Sequence, residues 1–158
     1  MSYFRQTANY QVSISETSVS PQNLSTATTV EITNSRIDYT PHKDSKYVIY
    51  EGSFYVTKLS AYMRAVFGLW HYVNGSWSEI SSDNRRIAVT GQYNDGDCDE
   101  YTLYVRFKID PWQGERPIRM TVNNHSTIWR TRMHRTGKWE GTGTDTYIMP
   151  QFMMYSVL

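Results

Sequence analysis

The sequence predicts an all-β protein, an antiparallel β-sandwich of jelly-roll type, and three observations carry that reading. The run Phe67-Gly-Leu-Trp-His-Tyr-Val-Asn-Gly-Ser-Trp-Ser-Glu-Ile80 alternates large residues into Asn74-Gly75 and out again. Asn and Gly both tolerate φ > 0, as a two-residue type I′ turn requires, so the run predicts a β-hairpin. In Tyr101 to Ile109, Tyr101, Leu103, Val105, Phe107 and Ile109 alternate with Thr102, Tyr104, Arg106 and Lys108, the period-two signature of a half-buried strand. Finally, roughly eight to ten such short runs follow one another with turn signals at regular spacing and no helical periodicity, the pattern of a sandwich or jelly roll.

The elements follow in chain order. Residues 1–28 are polar, rich in Ser and Thr, with weak alternation through Tyr3, Tyr10, Val12 and Ile14 and with Pro21 further on. Such a segment has little to bury, so it is expected to be an extended arm that orders against a partner. The jelly-roll domain is expected over 29–158. Thr29 to Thr33 and Ile37 to Thr40 are short strands, and Pro41-His-Lys-Asp-Ser45 is a turn. Lys46 to Val56 is a long strand with Val48, Tyr50, Phe54 and Val56 on one face; Gly52 inside it marks a bulge or a close backbone approach. After the Asn-Gly hairpin come Arg86 to Thr90, the acidic loop Asn94 to Glu100, and the strand Tyr101 to Ile109. Beyond Pro111 to Gly114, strands are expected at Pro117 to Val122 and over 127–134. Gly137, Gly141 and Gly143 punctuate a loop, and Tyr147 to Leu158 closes the chain as a strand. Leu59 to Ala65 could form one helical turn, but the aromatic strand after it dominates.

Composition narrows function by exclusion. The formal net charge is +1, so the chain as a whole is no polyanion binder. One cysteine, Cys98, excludes an intrachain disulfide and with it a disulfide-stapled secreted domain. The N-terminus has no apolar signal core and no run is apolar enough to cross a bilayer, so synthesis in a cytoplasm without signal-dependent export is expected; released virus particles satisfy the same condition. With 13 Tyr, 5 Trp and 7 Met, the chain holds more large side chains than one small sandwich needs to bury. Homo-oligomers gain symmetric interfaces from such residues, so a trimer with outward-facing Tyr or Trp at the contact is expected.

No catalytic constellation emerges. His42, His71, His125 and His134 form no close pair with zinc-ligand spacing, no Gly-x-Ser-x-Gly elbow or phosphate loop occurs, and the carboxylates around Cys98 disfavour a thiolate. The chain is therefore read as a non-enzyme with no required cofactor. The acidic loop offers the metal candidate: Asp95, Asp97 and Asp99 alternate as Ca²⁺ ligands do, but the later bidentate Glu is missing, and a solvated hairpin tip explains the same residues. A basic stretch from Arg106 to Lys138 interleaves Arg with aromatics; outward charges that keep a sheet soluble account for it better than nucleic-acid binding. For a host glycan, Trp77, Trp112 and Trp139 lie at turn positions and are the candidate stacking platforms, whereas Trp70 and Trp129 lie within strands and are expected to pack.

Ile37-Asp-Tyr-Thr-Pro41 followed by Ser45-Lys-Tyr-Val-Ile-Tyr-Glu51, the hairpin ending Asn74-Gly-Ser-Trp-Ser-Glu-Ile80, and the closing Pro150-Gln-Phe-Met-Met-Tyr-Ser-Val-Leu158 resemble the strand pattern of jelly-roll modules in virion proteins of tailed, marine-type bacteriophages. The resemblance spans about residues 29 to 158. It implies a tumour necrosis factor-like sandwich, a homotrimer, location in the virion, and contact with other virion proteins such as a major capsid protein. It brings no active-site residues. The function it implies is a structural virion protein, a capsid decoration or cement protein or a spike knob. The alternative is a glycan-binding receptor-recognition module of a tail fibre or spike. Neither nucleic acid nor membrane insertion is implied.

Overall fold

The computed structural model describes residues 11–13, 22–24, 29–58, 63–80, 87–91, 100–124, 131–136 and 146–158. Their regular structure is all β and antiparallel, with no helix among the described residues. The strands in chain order are β1 (Gln11–Ser13), β2 (Gln22–Leu24), β3 (Thr29–Glu31), β4 (Ile37–Tyr39), β5 (Tyr47–Lys58), β6 (Met63–Val73), β7 (Ser76–Glu79), β8 (Ile87–Gly91), β9 (Glu100–Ile109), β10 (Arg116–Asn124), β11 (Thr131–Met133), β12 (Arg135–Thr136), β13 (Thr146–Tyr147) and β14 (Gln151–Val157).

In the first sheet β5 is central. It pairs along one side with β9, from Val48↔Ile109 to Thr57↔Glu100, and on the other with β14 and then β11. Beyond these lie β1 on β14 and β2 on β11, so two triplets within 1–28 belong to this sheet. In the second sheet β6 and β10 are central; β7 and β8 flank β6, and β3 and β4 flank β10. β12 and β13 form a separate pair. The Asn-Gly hairpin forms as the sequence predicts: Asn74 and Gly75 have φ of 53° and 79°, and Val73 faces Ser76.

The inward faces of both sheets meet in one core. Val48, Tyr50, Phe54 and Val56 from β5, with Val105, Phe107 and Ile109 from β9, join Phe67 and Leu69 from β6 and Ile118, Met120 and Val122 from β10. The rings of Phe54 and Phe67 bridge the sheets at 5.1 Å between centroids. Buried hydroxyls make the same crossing. Ser35 Oγ donates to the Met120 carbonyl and accepts from its N–H, both at 3.1 Å, and Tyr50 OH donates to the Ser35 carbonyl at 2.6 Å. Tyr39 OH and Ser156 Oγ are 2.9 Å apart. Burial pushes the Tyr50 hydroxyl well above its ordinary pKa, so it remains a donor.

Gly52 resolves the choice between bulge and close approach. The register runs unbroken through it on both sides, so there is no bulge. Its missing side chain would point inward, where the Phe152 ring lies across the strand. That ring is held between Tyr50 and Phe54, at 5.9 and 6.1 Å. Gly52→Ala should therefore destabilise the fold by overpacking, about 1–3 kcal/mol in urea unfolding. Phe152→Leu placed in the Gly52→Ala background should recover part of that loss, a non-additivity that two independent defects would not give.

His134, between β11 and β12, is fully buried with φ of 63°. Its N–H donates to the Tyr55 carbonyl at 2.9 Å and its carbonyl accepts from Ile148 N–H at 3.1 Å. Neither ring nitrogen has a hydrogen-bond partner among the described residues. Burial disfavours the imidazolium and lowers the pKa to about 4. A neutral imidazole in the native state means that the unfolded chain binds the extra proton as pH falls below about 6.5. Stability is then complete above that pH and declines towards the native pKa, by about 2 kcal/mol at pH 5. Urea midpoints at pH 7 and pH 5 should show this slope, and His134→Asn, which tolerates the positive φ and does not titrate, should remove most of it.

Candidate functional site

Alternation in β5 turns Tyr47, Ile49, Glu51, Ser53 and Tyr55 away from the core, since Val48, Tyr50, Phe54 and Val56 point into it. The same argument places Tyr104, Arg106 and Lys108 of β9, and Gln151, Met153, Tyr155 and Val157 of β14, on that outer face. A solvated sheet face would be polar. This one mixes Glu51, Ser53, Arg106, Lys108 and Gln151 with Tyr, Ile, Met and Val, and Tyr104 is 80% exposed. Ile49 and Tyr155 are buried although they lie outside the core cluster.

Glu51 and Arg106 on the face are paired with each other. Arg106 Nε lies 3.0 Å from Glu51 Oε1. Tyr155 OH donates to that same carboxylate oxygen at 2.9 Å and accepts from Arg106 Nη2 at 3.1 Å. Burial, then the bond to Glu51, raises the Tyr155 pKa, so the phenol stays protonated. Lys108 Nζ sits 4.3 Å above the Tyr47 ring, a cation–π contact. A shallow cavity of about 370 Å³ beside this cluster is lined by Glu51, Ser53, Tyr104, Arg106, Gln151 and Met153 among others. It brings together apolar contact area and satisfied polar groups, the composition of an interface core.

The residues singled out in the sequence are spread apart. Trp77 is half-buried on the opposite sheet, with the Arg119 guanidinium 3.9 Å from its ring centroid and Tyr72 edge-on at 5.4 Å. Trp112 is packed against the core, edge-to-face with Tyr39 at 6.3 Å, and its indole N–H is buried without an acceptor among the described residues. Trp139, Asp95, Asp97 and Asp99 lie outside the described residues, as do His125, Cys98 and Trp129. No group of three metal-ligating side chains occurs among the described residues. His71 is half-buried on β6; burial, then the Arg116 charge, lowers its pKa.

Two features escaped sequence reasoning. Trp70, expected to pack inside, is half-buried on the outer face of β6, because Phe67 and Leu69 take the inward positions. Period two was the available signal, masked by the aromatic run around it. The pairing of Arg119 with Glu31, at 2.7 Å, joins residues far apart in sequence and has no local signature. No protein-family model matches the sequence, and no curated protein matches it at a significant level.

Proposed function

We propose that this chain is a non-enzymatic structural protein of a bacteriophage virion, a jelly-roll sandwich that assembles as a homotrimer through the outer face of its first sheet. Support for the jelly roll comes from nested pairing. With β2 and β11 to β13 set aside, and β3 with β4 counted as one strand position and β7 with β8 as another, the antiparallel ribbon pairs are β1 with β14, β3/β4 with β10, β5 with β9, and β6 with β7/β8, while the pairings of β14 with β5 and of β10 with β6 join these ribbon pairs within each sheet. First pairs with last, second with second-last, and so inward to the hairpin. An antiparallel ribbon rolled into two sheets pairs in this way.

The observation that carries the assembly is the outer face itself. Tyr47, Tyr55, Tyr104, Met153 and Val157 surround the Glu51–Arg106–Tyr155 cluster, and a second copy is the occupant that such a face suits. Glu51 and Arg106 are matched within one chain and Lys108 lies over the Tyr47 ring, so burial against a copy leaves the Glu51–Arg106 pair intact. Its tyrosines contribute large rigid contact area at low entropy cost. The segment resembling phage virion modules builds this region: Lys46 N–H donates to the Val157 carbonyl at 2.8 Å, and Glu51 is the carboxylate of the cluster. Attachment to other virion proteins, a major capsid protein above all, is assigned to the polar segment 1–28 apart from its two triplets, β1 and β2, that pair within the first sheet.

Light scattering on the purified chain should give a mass near three times 18.5 kDa at micromolar concentration. Tyr104→Lys should yield a folded monomer with an unchanged far-ultraviolet circular dichroism spectrum, because Tyr104 is exposed within one chain. A wild-type monomer, or a Tyr104→Lys trimer, would overturn the interface. Co-sedimentation of the chain with intact phage particles tests the virion assignment separately.

A further inference from the structure

The geometry points to a binding site for a single neutral pyranose ring on the outer face of the second sheet, on the opposite side of the core from the face assigned to trimer assembly. Cross-strand register builds it. One row of neighbouring side-chain positions across β3, β10 and β6 is Thr29, Asn123 and Val66; the next is Glu31, Thr121 and Gly68; the next, across β10, β6 and β7, is Arg119, Trp70 and Glu79. The middle row has a glycine and a threonine where its neighbours carry larger groups. The result is a depression of about 220 Å³, floored by Gly68 and Thr121 and walled by Trp70 and Glu79 on one side and by Val66, Asn123 and Thr29 on the other.

The lining fixes the class of ligand. The volume is below the ~300–1,000 Å³ of sites for drug-sized molecules, so the occupant is about one ring in size. Trp70 offers an aromatic wall for the C–H face of a sugar, and carboxylate, amide and hydroxyl groups surround it for sugar hydroxyls, which both donate and accept. An anionic sugar is disfavoured: no Lys or Arg occurs among the described lining residues, and Arg119, opposite Trp70 in the register, is committed to Glu31 at 2.7 Å and to the Trp77 ring. One wall is pre-organised: Asn123 Nδ2 donates to Thr29 Oγ1 at 3.2 Å. A wall already held in place reduces the entropy lost on binding. The glycan alternative raised by the sequence thus centres on Trp70, and neither Trp77 nor Trp112 belongs to the lining.

The test is titration of the full chain with methyl glycosides of glucose, galactose, mannose and N-acetylglucosamine, followed by tryptophan fluorescence and by protein-observed NMR. At least one neutral glycoside should bind saturably in the millimolar range, and sialic acid should not. Trp70→Ala should weaken that binding by about tenfold or more, and Asn123→Ala should weaken it as well, with thermal midpoints showing both variants folded. Tyr104→Lys, on the other sheet, should leave sugar binding unchanged whether or not it alters the oligomer, so failure of the trimer and failure of this site read out separately. A blank wild-type panel overturns the site. Binding that survives Trp70→Ala, or that maps by chemical shift to the first sheet, overturns it equally.

Discussion

The register of β5 against β9 and β14 is the constraint on which both the core and the outer face of the first sheet depend. Side chains in a strand alternate with period two, so a slip of one residue would exchange Val48, Tyr50, Phe54 and Val56 for Ile49, Glu51 and Tyr55. Two features hold the observed register. Gly52 stands opposite Phe152, leaving the space that the ring fills. Glu51 stands opposite Arg106 on one side and Met153 on the other, which brings carboxylate and guanidinium together on the outside. The inward and outward chemistry of the sheet thus support a single alignment.

Directional bonds then fix how the two sheets meet. Apolar side chains tolerate several packings of similar energy, whereas a buried hydroxyl needs its partner at one distance and angle. Tyr50 from the first sheet reaches the Ser35 carbonyl, and Ser35 in turn both donates to and accepts from the Met120 backbone of the second. Tyr39 and Ser156 repeat the arrangement at another point, with Ser156 also accepting from His42 N–H at 2.9 Å. Misalignment of the sheets would strand several of these groups without water, and each would carry a desolvation penalty of about 1–3 kcal/mol.

The outer faces use the same residue types differently. On the first sheet aromatic residues surround an ion cluster and give broad contact area. On the second, Trp70 stands above a floor of Gly68 and Thr121, and the small residues make a concave surface. Of the basic residues that looked like a stripe in the sequence, several are engaged within the fold: Arg106 pairs with Glu51, Arg119 with Glu31, Lys108 lies over the Tyr47 ring, and Arg116 lies 5.8 Å from the Trp112 ring.

Much of the local structure was legible from the sequence, because the period of a strand and the φ preference of Asn-Gly are properties of neighbouring residues. The inward set Val105, Phe107 and Ile109, the outward set Tyr104, Arg106 and Lys108, and the turn at Asn74-Gly75 are all read directly from alternation. The exposure of the tryptophans was not legible. Trp112 follows Pro111 at a turn, yet packs on the core because Tyr39 from a distant strand lies beside it; Trp70 sits within a strand, yet lines a surface depression because its neighbours 67 and 69 face inward. The sequence by itself determined that this protein is antiparallel β and which residues of each strand share a face. Only the tertiary structure decided which strands became neighbours, and so where Gly52 met Phe152 and where Gly68 met Thr121, since those contacts join residues up to a hundred positions apart and leave no trace in either segment alone.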